Sequence, residues 1–161
     1  LFEEFMGIPA HPLVLHAAVV LVPLLALLSV GYAAVPAIRP HTRWVLGLLA
    51  LGAPVSALLA KLSGDAFLAR LTSANRVSPE YVPKLEAHQR LGDLTLYATI
   101  GLAVVTLAVV WFLAPAGPGV ARPRPALAWA LRGLSLVAAG VSLYYVVRTG
   151  DSGAKAVWTG L

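Results

Sequence analysis

The segment HPLVLHAAVVLVPLLALLSV, residues 11–30, decides the fold. After His16 no Asp, Glu, Lys, Arg or His appears until Arg39. A run of that length and polarity matches the roughly 20 residues that cross a hydrocarbon core. It is too long for a signal-peptide core, and acidic Glu3 and Glu4 stand where a leader would be basic. The sequence opens on Leu1 rather than Met, as a segment behind a start codon, tag or leader would.

Three further runs resemble the first, giving predicted spans over 12–35, 44–61, 91–113 and 127–147. Apolar residues make up 59% and charged residues 12% of the 161 positions; an average globular protein carries about 25% charge. The expected fold is an all-α integral membrane protein, one domain over 1–161, built as a four-helix bundle. Pro23 and Pro54 lie inside spans, where neighbouring helices re-satisfy the freed carbonyls. Small residues at helical spacing, Gly52, Ser56 and Ala60, then Ser135 and Ala139, suit close helix packing.

The links differ in chemistry. The first is PAIRPHTR; the third, residues 114–126, is rich in Pro and Gly. With the adjoining end of span four they carry Arg39, Arg43, Arg122, Arg124 and Arg132 and no acid. Short basic links stay in the cytoplasm. Both termini and the link 62–90 are therefore expected outside, in a bacterial cytoplasmic membrane. Tyr32, Trp44, Trp111 and Trp129 would form an aromatic belt at the inner edge. In the middle link, a short amphipathic piece over 66–71 is expected on the membrane surface. Ser78 followed by Pro79 is a plausible helix start. The net charge of +5 reads as membrane topology, not nucleic-acid binding. The absence of cysteine excludes disulfides, thiolate-held clusters and thioether-attached haem.

The remaining polar residues gather at one end. His16 lies near the start of span one and His88 just ahead of span three. Ser63-Gly64-Asp65 follows span two, and Thr149-Gly150-Asp151 follows span four. The pattern suggests two parallel helical hairpins related by an axis along the membrane normal, with His16 and His88 at matching depths. Two neutral imidazoles facing across a bundle suit a b-type haem. Arg148, Lys155 or Arg90 would pair with its propionates. Asp65 or Asp151 would orient an imidazole through its second nitrogen. For each residue a plainer reading stands beside this one. His16 bonds a backbone carbonyl or serves another metal; His11 caps the helix ahead of Pro12; His41 is solvated. Asp93 complements a helix terminus, and Arg148 with Asp151 forms an exposed ion pair. No phosphate loop, nucleophile elbow or HExxH motif is present. No polar stripe is expected along any helix, so a conduction path lacks support.

The opening GIPAHPLVLHAAVVLVPLLALL resembles an uncharacterised family of bacterial and archaeal membrane proteins, catalogued as domain of unknown function 2231. Gly7, Pro9, His11, Pro12, Leu13 and His16 fit its Gly-x-Pro-x-His-Pro-Leu-x-x-His opening. The resemblance covers essentially the whole chain and implies four spans, an acid after helix two and a histidine before helix three. Asp65, His88 and the Gly-containing run Arg148–Trp158 occupy the corresponding places. One departure is HAAVV after the motif, where many members have His-Phe-Pro. Some relatives are joined to Rieske or c-type cytochrome modules, which implies electron transfer by association.

These observations lead to an expected electron-transfer protein with haem b held by His16 and His88. It would exchange electrons with a quinone or a membrane redox complex and requires no catalysis of its own. The alternative is a non-catalytic accessory or scaffold subunit of a larger membrane complex; a homo-oligomer is a further expected partner. A third reading is a metal-binding protein using His16, His88 and Asp65.

Overall fold

The computed structural model describes residues 4–5, 8–115 and 124–158. Most of the third link, with Arg122, and Glu3 lie outside the described residues. Helix α1 covers Ala10–Ala34, α2 Arg39–Ser73, α3 Val82–Phe112 and α4 Pro125–Trp158. All four are long and apolar enough to cross a membrane. Ahead of them, Glu4–Phe5 and Ile8–Pro9 pair as two antiparallel two-residue strands, β1 and β2.

Sequence sets most of the boundaries. Val35 precedes Pro36 and is extended, at φ −113° and ψ 97°, because the proline ring disfavours helical backbone in the residue before it. A one-turn 3-10 helix, Pro36–Ile38, then reverses the chain into α2. At the far end of α2, Asn75 adopts φ 51°, a left-handed conformation that asparagine tolerates. The amide of Arg76 donates to the Leu71 carbonyl at 3.0 Å and that of Asn75 to Thr72 at 3.1 Å. These paired bonds satisfy carbonyls that the end of a helix would otherwise leave open.

The middle link is the chief correction to the expected spans. Residues 66–71 continue α2 instead of lying on the membrane surface. Helix α3 starts at Val82 with Tyr81 ahead of it; Ser78 is not its cap and donates to Glu80 at 3.1 Å. Asp93 therefore lies well inside α3. At 35 residues, α2 is about 52 Å long at 1.5 Å per residue. The hydrocarbon core is about 30 Å thick. The polar thirds of α2, α3 and α4 thus extend past the lipid at the end where α1 begins.

Each helix packs mainly on its chain neighbours, and α4 closes the ring against α1. Helices α1 and α3 are diagonal and run parallel. The core holds Val22, Leu25, Leu46, Ala53, Leu102 and Val109, while Leu27, Leu51, Val104 and Leu136 are exposed on the outer surface. That inside-out distribution suits lipid. Trp44, Trp111 and Trp129 are exposed as an aromatic belt requires, but Tyr32 is fully buried and does not join it.

Contrary to expectation, α4 does carry a polar stripe. Ser135, Ser142 and Thr149 recur every seven residues. Ser135 lies 3.0 Å from Ser29, which also accepts from Thr106 at 3.0 Å. Ser142 donates to the Ala98 carbonyl at 3.0 Å, and Thr149 lies 2.7 Å from Thr95. These bonds tie α4 to α1 and α3, where apolar attraction between helices is weak.

Candidate site at the histidine end

His11 sits in the first turn of α1, opposite the outer part of antiparallel α2. Its Nδ1 lies 3.0 Å from the Ala60 carbonyl and 3.2 Å from Ser63 Oγ. A carbonyl only accepts, so Nδ1 carries the proton and Nε2 keeps its lone pair. Ser63 Oγ donates to Ala60 at 2.9 Å, leaving it an acceptor toward the ring. The ring lies against Gly64, where an added Cβ would stand 3.0 Å from Cε1. Phe67 stacks on it, with centroids 6.5 Å apart and planes at 15°.

The same unit recurs on the other hairpin. His88 Nδ1 lies 2.8 Å from Ser152 Oγ. Ser152 Oγ donates to the Thr149 carbonyl at 2.9 Å. Its single proton being used, Ser152 accepts from the imidazole, so His88 also carries its proton on Nδ1. Gly153 lies against the ring as Gly64 does, with an added Cβ 3.0 Å from Cε1. The two ring centroids are 6.5 Å apart, with planes at 80°. Two imidazoles from the diagonal helices thus meet at the end of the bundle. Each rests on the Ser-Gly pair of the helix that follows it.

A charged network flanks the pair. Lys61 contacts Asp65 at 2.7 Å and Asp93 at 3.1 Å, and Gln89 donates to Asp65 at 3.0 Å. It joins α2 to α3. On α4, Asp151 pairs with Lys155 at 2.7 Å.

The expected residues fare unequally. His88 is in the pair. His16 is not: it is exposed and its Nδ1 bonds the Pro12 carbonyl of its own helix. Five residues separate it from His11, about 140° around a helix with 3.6 residues per turn. The two rings therefore cannot both face the bundle axis, and α1 is turned so that His11 does. Asp65 bonds Lys61 and Gln89, and serines hold the Nδ1 atoms. Asp151 takes Lys155 as its partner, and the Arg148 guanidinium lies 5.9 Å from the Tyr144 ring centroid. His41 is exposed in the first turn of α2.

Sequence reading missed Ser63, Gly64, Ser152 and Gly153 as a recurring support. The signal was present, because Ser-Gly occurs only at 63–64 and 152–153. Matching Ser63-Gly64-Asp65 to Thr149-Gly150-Asp151 instead placed the repeat three residues out of phase. Among the described residues, no three or more His, Cys, Asp or Glu side chains cluster as a ligand set for a bare metal ion.

No curated protein and no solved structure matches the chain. Residues 7–160 match the family described as a predicted membrane protein, DUF2231. That match takes in all four helices and both histidines of the pair, and the chain belongs to this family.

Proposed function

We propose that the protein is a small membrane electron carrier that binds a b-type haem at its histidine end, with His11 and His88 as axial ligands. The observation that carries this reading is the imidazole pair: His11 and His88 meet with each Nδ1 engaged, and among the described residues no group of three or more His, Cys, Asp or Glu side chains accompanies them. A bare ion that prefers tetrahedral or octahedral geometry asks the protein for more than two donors. A porphyrin brings four nitrogens of its own and needs only the axial pair. With 6.5 Å between their ring centroids, His11 and His88 are the two residues of the site that would hold such a group. The serine bonds fix the tautomer that ligation requires and raise the basicity of Nε2. Lys155 and Arg148 on α4 are the cations on hand for propionates. In this reading the histidine end faces away from the cytoplasm, since the opposite rim is purely basic. Held by His11 and His88, such a group would supply one-electron transfer with a quinol or a membrane redox enzyme.

The test is an absorption spectrum of detergent-purified protein, oxidised and reduced, from haem-replete cells. The expected result is a Soret band and a sharp reduced α-band. Both are lost in His11→Ala and in His88→Ala and kept in His16→Ala. Colourless, folded protein overturns the proposal and leaves the scaffold reading. Loss of colour in His16→Ala with retention in His11→Ala overturns the ligand assignment.

A further inference from the structure

We propose that the basic end of the bundle holds the phosphate of an anionic phospholipid where Arg132 of α4 meets Arg39 of α2 at the Ala33 carbonyl that ends α1. Two guanidinium groups converge there on one neutral oxygen. The Ala33 carbonyl accepts from Arg39 Nη2 at 3.0 Å and from Arg132 Nε at 3.1 Å. Arg39 is otherwise spent on the Tyr32 and Leu113 carbonyls, at 2.9 Å and 3.2 Å, so it is a fixed cation tying the ends of α1 and α3. Arg132 is different. Its guanidinium lies 4.8 Å from the Trp129 ring centroid. Nη1 and Nη2 have no hydrogen-bond partner among the described residues. Two parallel donors in a planar fork, held by a stacked ring and one carbonyl, are the geometry that grips a phosphate through two oxygens.

Charge balance points the same way. Like charges drawn onto one carbonyl repel, and the carboxylates of Asp65, Glu80, Glu86, Asp93 and Asp151 all belong to the other end of the bundle. Beneath Arg39, whose guanidinium carbon is 5.7 Å from the Tyr32 ring centroid, the buried Tyr32 hydroxyl also has no hydrogen-bond partner among the described residues. The position selects a lipid over a free anion. Trp129 and Trp111 are 69% and 79% exposed at this rim, as residues at headgroup level are. Basic pockets between membrane helices at that level recognise anionic headgroups.

The experiment is native mass spectrometry of the full chain, delipidated in neutral detergent. It is titrated separately with phosphatidylglycerol, phosphatidylcholine and inorganic phosphate. Each basic side chain near a headgroup contributes about five-fold in affinity. The expected result is a one-to-one phosphatidylglycerol adduct retained about ten-fold better than phosphatidylcholine. Arg132→Gln weakens it about five-fold. Arg132→Lys, which keeps the charge but not the fork, falls between. Helix content by circular dichroism confirms that both variants fold, and Arg132→Lys carries the test if Arg132→Gln does not. Equal retention of the two lipids, or an adduct indifferent to both substitutions, overturns the proposal. Inorganic phosphate competing as well as phosphatidylglycerol overturns the lipid assignment in favour of a soluble anion. None of these readouts depends on haem.

Discussion

Gly64→Ala tests the packing of the His11 ring with a sign, not only a size. In a helix interior, glycine is less favourable than alanine by about 0.8–1 kcal/mol. At Gly101, where nothing lies within 4 Å of an added Cβ, the substitution should return that amount as stability. Gly64 offers the same backbone gain, but its new methyl would stand 3.0 Å from His11 Cε1 and 3.3 Å from Nδ1. Ordinary carbon contacts are about 3.5–4.0 Å, so the ring must retreat by about half an ångström or more. It is held by Nδ1 bonds to Ala60 and Ser63 on the same helix as Gly64, and retreat stretches both. Overpacking costs about 1–3 kcal/mol, and each weakened hydrogen bond costs up to about 1 kcal/mol. Set against the helix gain, Gly64→Ala should destabilise the fold by about 1–3 kcal/mol. Unfolding equilibria in detergent micelles or bicelles would measure this, with Gly101→Ala as the control. The decisive arm is the double variant. In a His11→Ala background the ring is gone, and Gly64→Ala should become stabilising by about 1 kcal/mol. If it remains destabilising there, the imidazole is not what the methyl strikes, and the account of Gly64 as a platform for His11 fails.

Two other expectations concern the ends of the helices. Lys61→Met removes the cation shared by Asp65 and Asp93, leaving Asp65 only its bond from Gln89, and should cost about 1–2 kcal/mol for partly exposed ion pairs. Adding Asp93→Asn should recover part of the loss in the same unfolding assay. Asn75→Ala places an alanine at φ 51° and should lose about 1 kcal/mol. Asn75→Gly should be neutral or stabilising, and the difference appears as a shift in melting temperature.

The membrane class and the number of helices were legible because crossing lipid is a demand on composition. A chain that does so with helices must satisfy its backbone polar groups over apolar runs about 20 residues long, and four such runs stand in plain view. The outer extent of α2 was not legible: residues 62–73 are polar enough to read as a link, yet they continue the helix past the hydrocarbon. The early start of α3 was legible in part, since Ser78-Pro79 marked a helix that begins ahead of the lipid, although its first residue is Val82. The hydroxyl stripe of α4 was hidden for a similar reason. Isolated serines and a threonine every seven residues scarcely change average polarity, and only the packed partner reveals their use.

Residue chemistry told which end of the protein to inspect, since the histidines and the hydroxyl-Gly-Asp runs at 63–65 and 149–151 fall there by spacing alone. Composition could not choose between His11 and His16, because each is an imidazole near the mouth of the same span. That choice was made by the rotation of α1 against α2, which turns one ring toward Ser63 and Gly64 and leaves the other on its own backbone. Rotation is decided by the fit of two surfaces, and one of those surfaces lies about fifty residues further along the chain.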